Sequence, residues 1–208
     1  MTQPAPLTHT GTGNVDARRT ALRRLASGDV SDIYNNWAKD PEVSKNLTWH
    51  PHKSEEESAG LLAGWLERYN DPTYYHWGVE LKETGRLIGT FQAVNLSERD
   101  KSIELAYCMG QEWWGRGLMV EAVEAVIAHF FESVGFNRVY ATHFLQNPNS
   151  GKVMLKAGMK YEGVLRQARW FEKFGFMDLA YYSILKSEYN KEENNNGSHN
   201  KRPQQRKR

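Results

Sequence analysis

The sequence predicts an α+β domain built on a mixed sheet, and three observations carry that reading. The apolar pattern switches between period two and a helical stripe, giving the order β-α-α-β-β-β-α-β-α-β-β. Adjacent hairpin strands come first and a strand–helix–strand unit follows, which is not the strict alternation of a doubly wound sheet. The 208 residues are 39% hydrophobic and 25% charged. That is the balance of one soluble globular domain, able to bury roughly two-thirds of its unfolded surface.

Residues 1–15 are polar, with Pro, Thr and Gly, and are expected to be disordered. Ala21 to Leu25 reads as a short strand, after which Asp29 can cap a helix carrying Ile33, Tyr34 and Trp37. Asp40-Pro41 ends that helix, because the residue before proline is pushed out of the α region. Ser54-Glu55-Glu56-Glu57 is a capping box opening a helix with Leu61, Leu62, Trp65 and Leu66 on one face. His76 to Leu81 and Arg86 to Val94 form a hairpin around Lys82-Glu83-Thr84-Gly85. Ser102 to Met109 is the next strand. It runs through Trp113-Trp114 into Gly115-Arg116-Gly117 and an amphipathic helix from Leu118 to about Ser133, stopped by Gly135. A strand at Arg138 to His143, a helix from Pro148 to Ala157, and strands near Met159 to Leu165 and Met177 to Leu185 follow. The last two flank a loop containing Trp170 to Gly175. The domain is thus expected over 16–189, with a basic, disordered tail over 190–208.

Composition excludes several classes. A single cysteine, Cys108, rules out an intrachain disulfide framework and fits a reducing cytoplasm. The chain has no run of eighteen apolar residues, so no membrane span is expected, and its start lacks the apolar core of a secretory signal. The net charge of +2 conceals an asymmetry: residues 191–208 carry +4, leaving −2 on the rest. A broad nucleic-acid-binding face on the fold is therefore not expected. The tail reads as a solvated end, with affinity for ribosomal RNA as its alternative. His50-Pro51-His52 lacks further ligands at metal spacing, so no metal site is expected.

A strand that feeds a Gly-rich turn opening a helix can bind phosphate. The glycines let backbone approach closely, and the helix's first N–H groups are unpaired. Alone, this Gly-x-Gly is equally a tight connection. It is neither a P-loop, lacking Gly-Lys-Ser/Thr, nor a dinucleotide fingerprint, lacking the third glycine and the acidic residue. A second stretch, Asn147-Pro148-Asn149-Ser150 through Lys156-Ala157-Gly158-Met159, adds weight to it.

Together these residues resemble the GNAT acetyltransferases, in particular the RimJ/RimL-type ribosomal-protein N-acetyltransferases. The resemblance rests on Trp114-Gly115-Arg116-Gly117 with Glu121-Ala122, then Asn147, Ser150, Lys156 and Gly158, with Met159 replacing an aromatic residue. Tyr161-Glu162-Gly163, Asp178 and Tyr182 to Leu185 extend it, so that it covers about residues 18 to 189.

The resemblance implies a central, mostly antiparallel twisted sheet with helices on both faces, and acetyl-CoA as cosubstrate. The pyrophosphate would rest on backbone N–H groups around Gly115, Gly117, Leu118 and Met119, next to Trp114, favoured by the helix dipole. Arg116 would add charge there or face solvent. The pantetheine arm would lie along Tyr107, Cys108 and Met109 as an added strand. Asn147 would serve the same arm or cap the Pro148 helix. Ser150 would protonate the departing thiolate, a role compatible with capping. Many GNAT enzymes place a tyrosine four residues further on, where this chain has Met154. Glu104 would act through water as general base on the acceptor amine, or be an exposed strand residue. Cys108 reads as a small strand residue more than a nucleophile, so attack would be direct, without an acyl-enzyme. The implied acceptor is a protein N-terminal α-amine. A small amine such as an antibiotic or polyamine is the alternative, and a non-catalytic acyl-CoA-binding module the competitor from another class. Monomer and homodimer both fit the sequence.

Overall fold

The computed structural model describes residues 5–189. Its eight strands form one sheet in the order β1-β2-β3-β4-β5-β6-β8-β7. The strands are Val15–Asp16 (β1), Thr20–Arg23 (β2), Tyr75–Leu81 (β3), Arg86–Ser97 (β4), Ser102–Met109 (β5), Arg138–Phe144 (β6), Lys160–Phe171 (β7) and Gly175–Leu185 (β8). Only β5 and β6 pair in parallel, so the sheet is mixed and mostly antiparallel, as the sequence implies.

Helices cover both faces. On β4, Leu87 packs with Ile33, Trp37 and Leu62, whereas its neighbour Ile88 packs with Val123, Val126 and Phe130. Consecutive strand residues point to opposite faces, so these two cores lie on opposite sides of the sheet. The first side holds α1 (Val30–Ile33), α2 (Pro41–Ser44) and α3 (Glu55–Glu67). The second holds α4 (Leu118–His129) and belongs to the larger core. The fifth helix, α5, is Pro148–Lys156.

Four local expectations are corrected. Residues 8–13, expected to be disordered, are packed against the domain. Thr8 N–H donates to the Val134 carbonyl, Gly11 N–H to that of Pro72, and the Trp77 indole to that of Gly13. Buried Thr12 donates to the Tyr74 carbonyl and accepts from His76 N–H, so the arm satisfies polar groups that a bare β3 would leave buried. Asp29 does not cap with its side chain. Its carboxylate pairs with Arg23 and accepts from Ala26 N–H. The central helix leaves α geometry at Phe130, finishing in a π turn, Phe130–Val134, that Gly135 stops. Trp170 and Phe171 belong to β7 rather than a loop, because they pair across the hairpin with Phe176 and Gly175. The basic tail expected over 190–208 lies outside the described residues.

One core residue makes stability depend on pH. His76 is buried between the Tyr74 hydroxyl, 2.8 Å from Nδ1, and the Thr90 hydroxyl, 2.7 Å from Nε2. Burial pushes its imidazole from 6.5 down to about 3. The unfolded chain therefore takes up this proton before the native state does. The stabilising contribution is complete above pH 6.5 and is lost as pH falls toward 3, by about 1.4 kcal/mol per pH unit. Urea midpoints measured across that window should fall more steeply for the native sequence than for His76→Gln.

What positions the site is an interrupted ladder. The parallel pairing of β5 with β6 runs from Ser102↔Arg138 to Leu105↔Ala141 and then stops, although both strands continue. Ala106 to Met109 remain paired to β4 on one side and open a gap toward β6 on the other.

Candidate active site

Two cavities meet at that gap. One, of about 460 Å³, is lined by Tyr107, Cys108, Met109, Trp114, Gly115, Gly117, Leu118, Met119 and Asn147. These are the sequence-derived cofactor residues, all but Arg116. Arg116 is exposed, and its carbonyl accepts a hydrogen bond from Arg19 Nη2 at 2.8 Å. The other cavity, of about 400 Å³, holds Glu104. Tyr107, Cys108, Asn147 and Ser150 line both, so they form the passage between the two.

The Gly turn has the form of an anion cradle. Gly115 and Gly117 have φ of +76° and +78°, left-handed values that L side chains avoid. Gly117 precedes α4, and no side chain caps the helix. Glu121, in the first turn, is drawn away from the turn's N–H groups by Arg18 and Arg19. The orphan donors of the first turn are thus left for a ligand. The cavity wall adds Lys45, Lys152 and Lys156 against Glu42.

Glu104 is no surface residue. It is 3% exposed and held by three donors. Thr142 Oγ1 donates to Oε1 at 2.6 Å, Asn95 Nδ2 to Oε2 at 2.5 Å, and Arg169 Nη2 to Oε2 at 2.9 Å. Asn95 reaches it because the β4–β5 register shifts between Val94 and Ser97, where Asn95 has φ +49°. A carboxylate offers about four lone-pair positions. Oε1, with one partner, keeps room for another donor.

Ser150 sits in the first turn of α5, and Asn147 is that helix's cap residue without a side-chain cap bond. Asn147 thus caps the helix by position and not through a side-chain bond, and Ser150, inside the first turn, is not its cap. The Asn147 amide instead donates to Ser150 Oγ at 3.0 Å, and the Tyr107 hydroxyl donates to the Ser150 carbonyl at 3.3 Å. Burial pushes the Tyr107 phenol up, and it pushes the Cys108 thiol up to about 12, so the thiol stays protonated at neutral pH.

Three participants carried no signal in the sequence. Arg169 comes from the final hairpin, 65 residues from Glu104. His143 donates from Nδ1 to the Phe144 carbonyl at 2.8 Å, and its buried Nε2 has no hydrogen-bond partner among the described residues. Lys173 Nζ donates to the carbonyls of Ser44, Leu47 and Trp49 at 2.7, 3.3 and 3.0 Å. It ties the hairpin tip to the loop whose Asn46 and Leu47 line both cavities.

The Acetyltransferase (GNAT) domain pattern matches residues 19–160. The chain belongs to the GNAT acetyltransferases.

YoaA of Bacillus subtilis strain 168, an uncharacterized N-acetyltransferase, is 28% identical over 172 residues, covering 83% of this chain and 96% of that protein. The ribosomal-protein-serine acetyltransferase of Escherichia coli K12 is 25% identical over 165 residues, covering 79% and 91%. A GNAT-family acetyltransferase structure from Bacillus anthracis aligns with a TM-score of 0.74 at 21% identity, over 85% of this chain and all of that one.

As a GNAT enzyme, this one uses acetyl-CoA, which supplies an acetyl group activated as a thioester. The residues fit it: a basic cavity, a glycine turn with orphan N–H groups, and a strand gap open to an extended arm. Among the described residues no helix is long and apolar enough to cross a membrane.

Gly117→Val offers a direct check. A Cβ there meets only Arg19 Nη2, at 3.5 Å, so the chain has room for it. The left-handed conformation costs about 1–2 kcal/mol for an L side chain, and the added methyls block close approach to the turn. Affinity for CoA, measured by calorimetry, should weaken by at least about tenfold. Unchanged affinity would remove the phosphate assignment.

Proposed function

We propose that this GNAT acetyltransferase acetylates a protein N-terminal α-amine by direct attack within a ternary complex; a protein acceptor is supported by the name of its relative, a ribosomal-protein-serine acetyltransferase. The observation that carries this is the shared wall. Tyr107, Cys108, Asn147 and Ser150 bound both cavities, so an amine in one can reach a thioester held in the other. A thiol held near 12 makes Cys108 a poor covalent carrier.

Each residue then has a defined task. Glu104 uses the free position on Oε1 to orient the amine, or a water beside it, and to accept its proton. Proton removal by a carboxylate suits an α-amine of pKa about 8 better than a lysine at about 10.4. Ser150 accepts from Asn147, which leaves its own O–H to donate toward the departing sulfur. Hydrogen-bond stabilisation suffices there, because a CoA thiol is only modestly basic, with a pKa of roughly 8.5 by analogy with cysteine.

The test is thiol release from acetyl-CoA with N-terminal peptides and small amines assayed in parallel. Peptides acetylated at the α-amine are the expected result. Turnover confined to polyamines or antibiotics would favour the alternative acceptor, and CoA binding without release on any amine would leave a binding module. Ser150→Ala should lower kcat by about tenfold or more while changing KM little. A change in KM alone would reduce Ser150 to a structural residue.

A further inference from the structure

The two cavities differ in charge, and that difference bears on the acceptor. The cofactor cavity carries Lys45, Lys152 and Lys156 against Glu42. The acceptor cavity contains one carboxylate and one guanidinium, Glu104 and Arg169, and they pair with each other at 2.9 Å. Of its histidines, His76 is held neutral by burial, His52 Nδ1 hydrogen-bonds the Ser58 hydroxyl, and His143 Nδ1 donates to the Phe144 carbonyl.

Among the remaining lining residues the large side chains are apolar, Leu47, Trp49, Leu61, Trp65, Phe144 and Phe171, and the polar ones, such as Gln92, Thr90 and Asn46, are uncharged. Several of these rings are braced edge-on. Trp65 stands 4.3 Å from His76, and Phe144 stands 4.9 Å from Phe171. They form a largely aromatic box in the cavity that Glu104 lines, whose one carboxylate and one guanidinium are already paired with each other.

We infer that this cavity selects an amine whose adjoining group is a large uncharged apolar side chain, so that the preferred acceptors are polypeptides beginning with a residue such as Leu or Phe. The inference rests on the α-amine reading above and narrows it. A single ammonium is matched by the remaining lone pair of Glu104. A second positive charge would be desolvated with no carboxylate to meet it, which disfavours polyamines and a first-position lysine. A side chain that fills the box removes apolar surface from water on both partners, whereas glycine leaves the box unfilled.

The experiment uses the full chain and peptides identical beyond the first residue, which is Phe, Leu, Gly, Lys or Asp, together with phenethylamine and spermidine. Thiol release gives kcat/KM for each. Leu- and Phe-first peptides should exceed the Gly-first peptide by about ten- to hundredfold, a range set by burying one apolar side chain. The Lys-first peptide and spermidine should fall below the Gly-first peptide. Equal values across the peptides, or a Lys-first optimum, would overturn the inference while leaving the α-amine reading intact. Fast phenethylamine with slow peptides would do the reverse.

Leu61→Glu adds an independent reading. Leu61 is 42% exposed on α3, so the variant should fold. By placing a carboxylate on the wall, it should raise the Lys-first to Leu-first ratio by about tenfold. An unchanged ratio would overturn the placement of the acceptor's side chain in the box.

Discussion

Gly151→Ala is expected to lower kcat by about ten- to hundredfold while the chain remains folded. A Cβ at this position would stand 2.7 Å from His143 Nε2 and 2.9 Å from the Tyr182 hydroxyl. Neither neighbour yields easily. The His143 ring is oriented by its bond to the Phe144 carbonyl, and Tyr182 is packed between the rings of His143 and Tyr161, at 5.5 and 5.2 Å. The first turn of α5 therefore has to lift, carrying Ser150 and Asn147 with it. Overpacking of this kind costs about 1–3 kcal/mol of stability. A displacement of about 1 Å at reacting groups can cost about a hundredfold in rate. Melting curves and steady-state kinetics on the same variant separate the two effects. Adding His143→Ala opens the space again and should recover part of kcat. A native kcat in Gly151→Ala would show that the placement of Ser150 does not limit turnover.

The contrast between Gly151 and Arg169 shows what a sequence can and cannot disclose. The glycine turn, the Asn147/Ser150 segment and the strand bearing Glu104 are each local, with their residues within a few positions of one another. Turn chemistry and periodicity suffice to find them, and the helices and hairpins around them follow from caps and apolar spacing. What escaped is set by tertiary approach. Lys173 meets the Ser44 carbonyl 129 residues away, and Thr12 meets the Tyr74 carbonyl 62 residues away. A polar segment such as 8–13 looks disordered until the indole and strand edge that need its carbonyls and hydroxyl are in place. Likewise, nothing in Ser102 to Met109 alone shows that Glu104 is buried. Period two separates its face from that of Leu105, but the groups that enclose it come from Asn95 at the β4–β5 bulge, Thr142 on β6 and Arg169 on the final hairpin.

Arg169→Met is expected to destabilise the protein by about 2 kcal/mol and to lower kcat, because Glu104 loses one of the three donors that hold it. Breaking a fully buried ion pair costs about 3–5 kcal/mol, because the remaining charge is left uncompensated. The lower figure applies here because the Arg169 side chain is 36% exposed while that of Glu104 is 4% exposed. Asn95 and Thr142 still donate to Glu104 in the variant, so the carboxylate is weakened rather than orphaned. The double variant Glu104→Gln/Arg169→Met separates structure from chemistry. It removes both charges together, so it should recover most of the lost stability in a urea titration. If Glu104 receives the amine's proton, it should recover none of the activity. A double variant that was both stable and active would reduce the pair to a structural tie between β5 and the hairpin, and would leave proton removal to solvent.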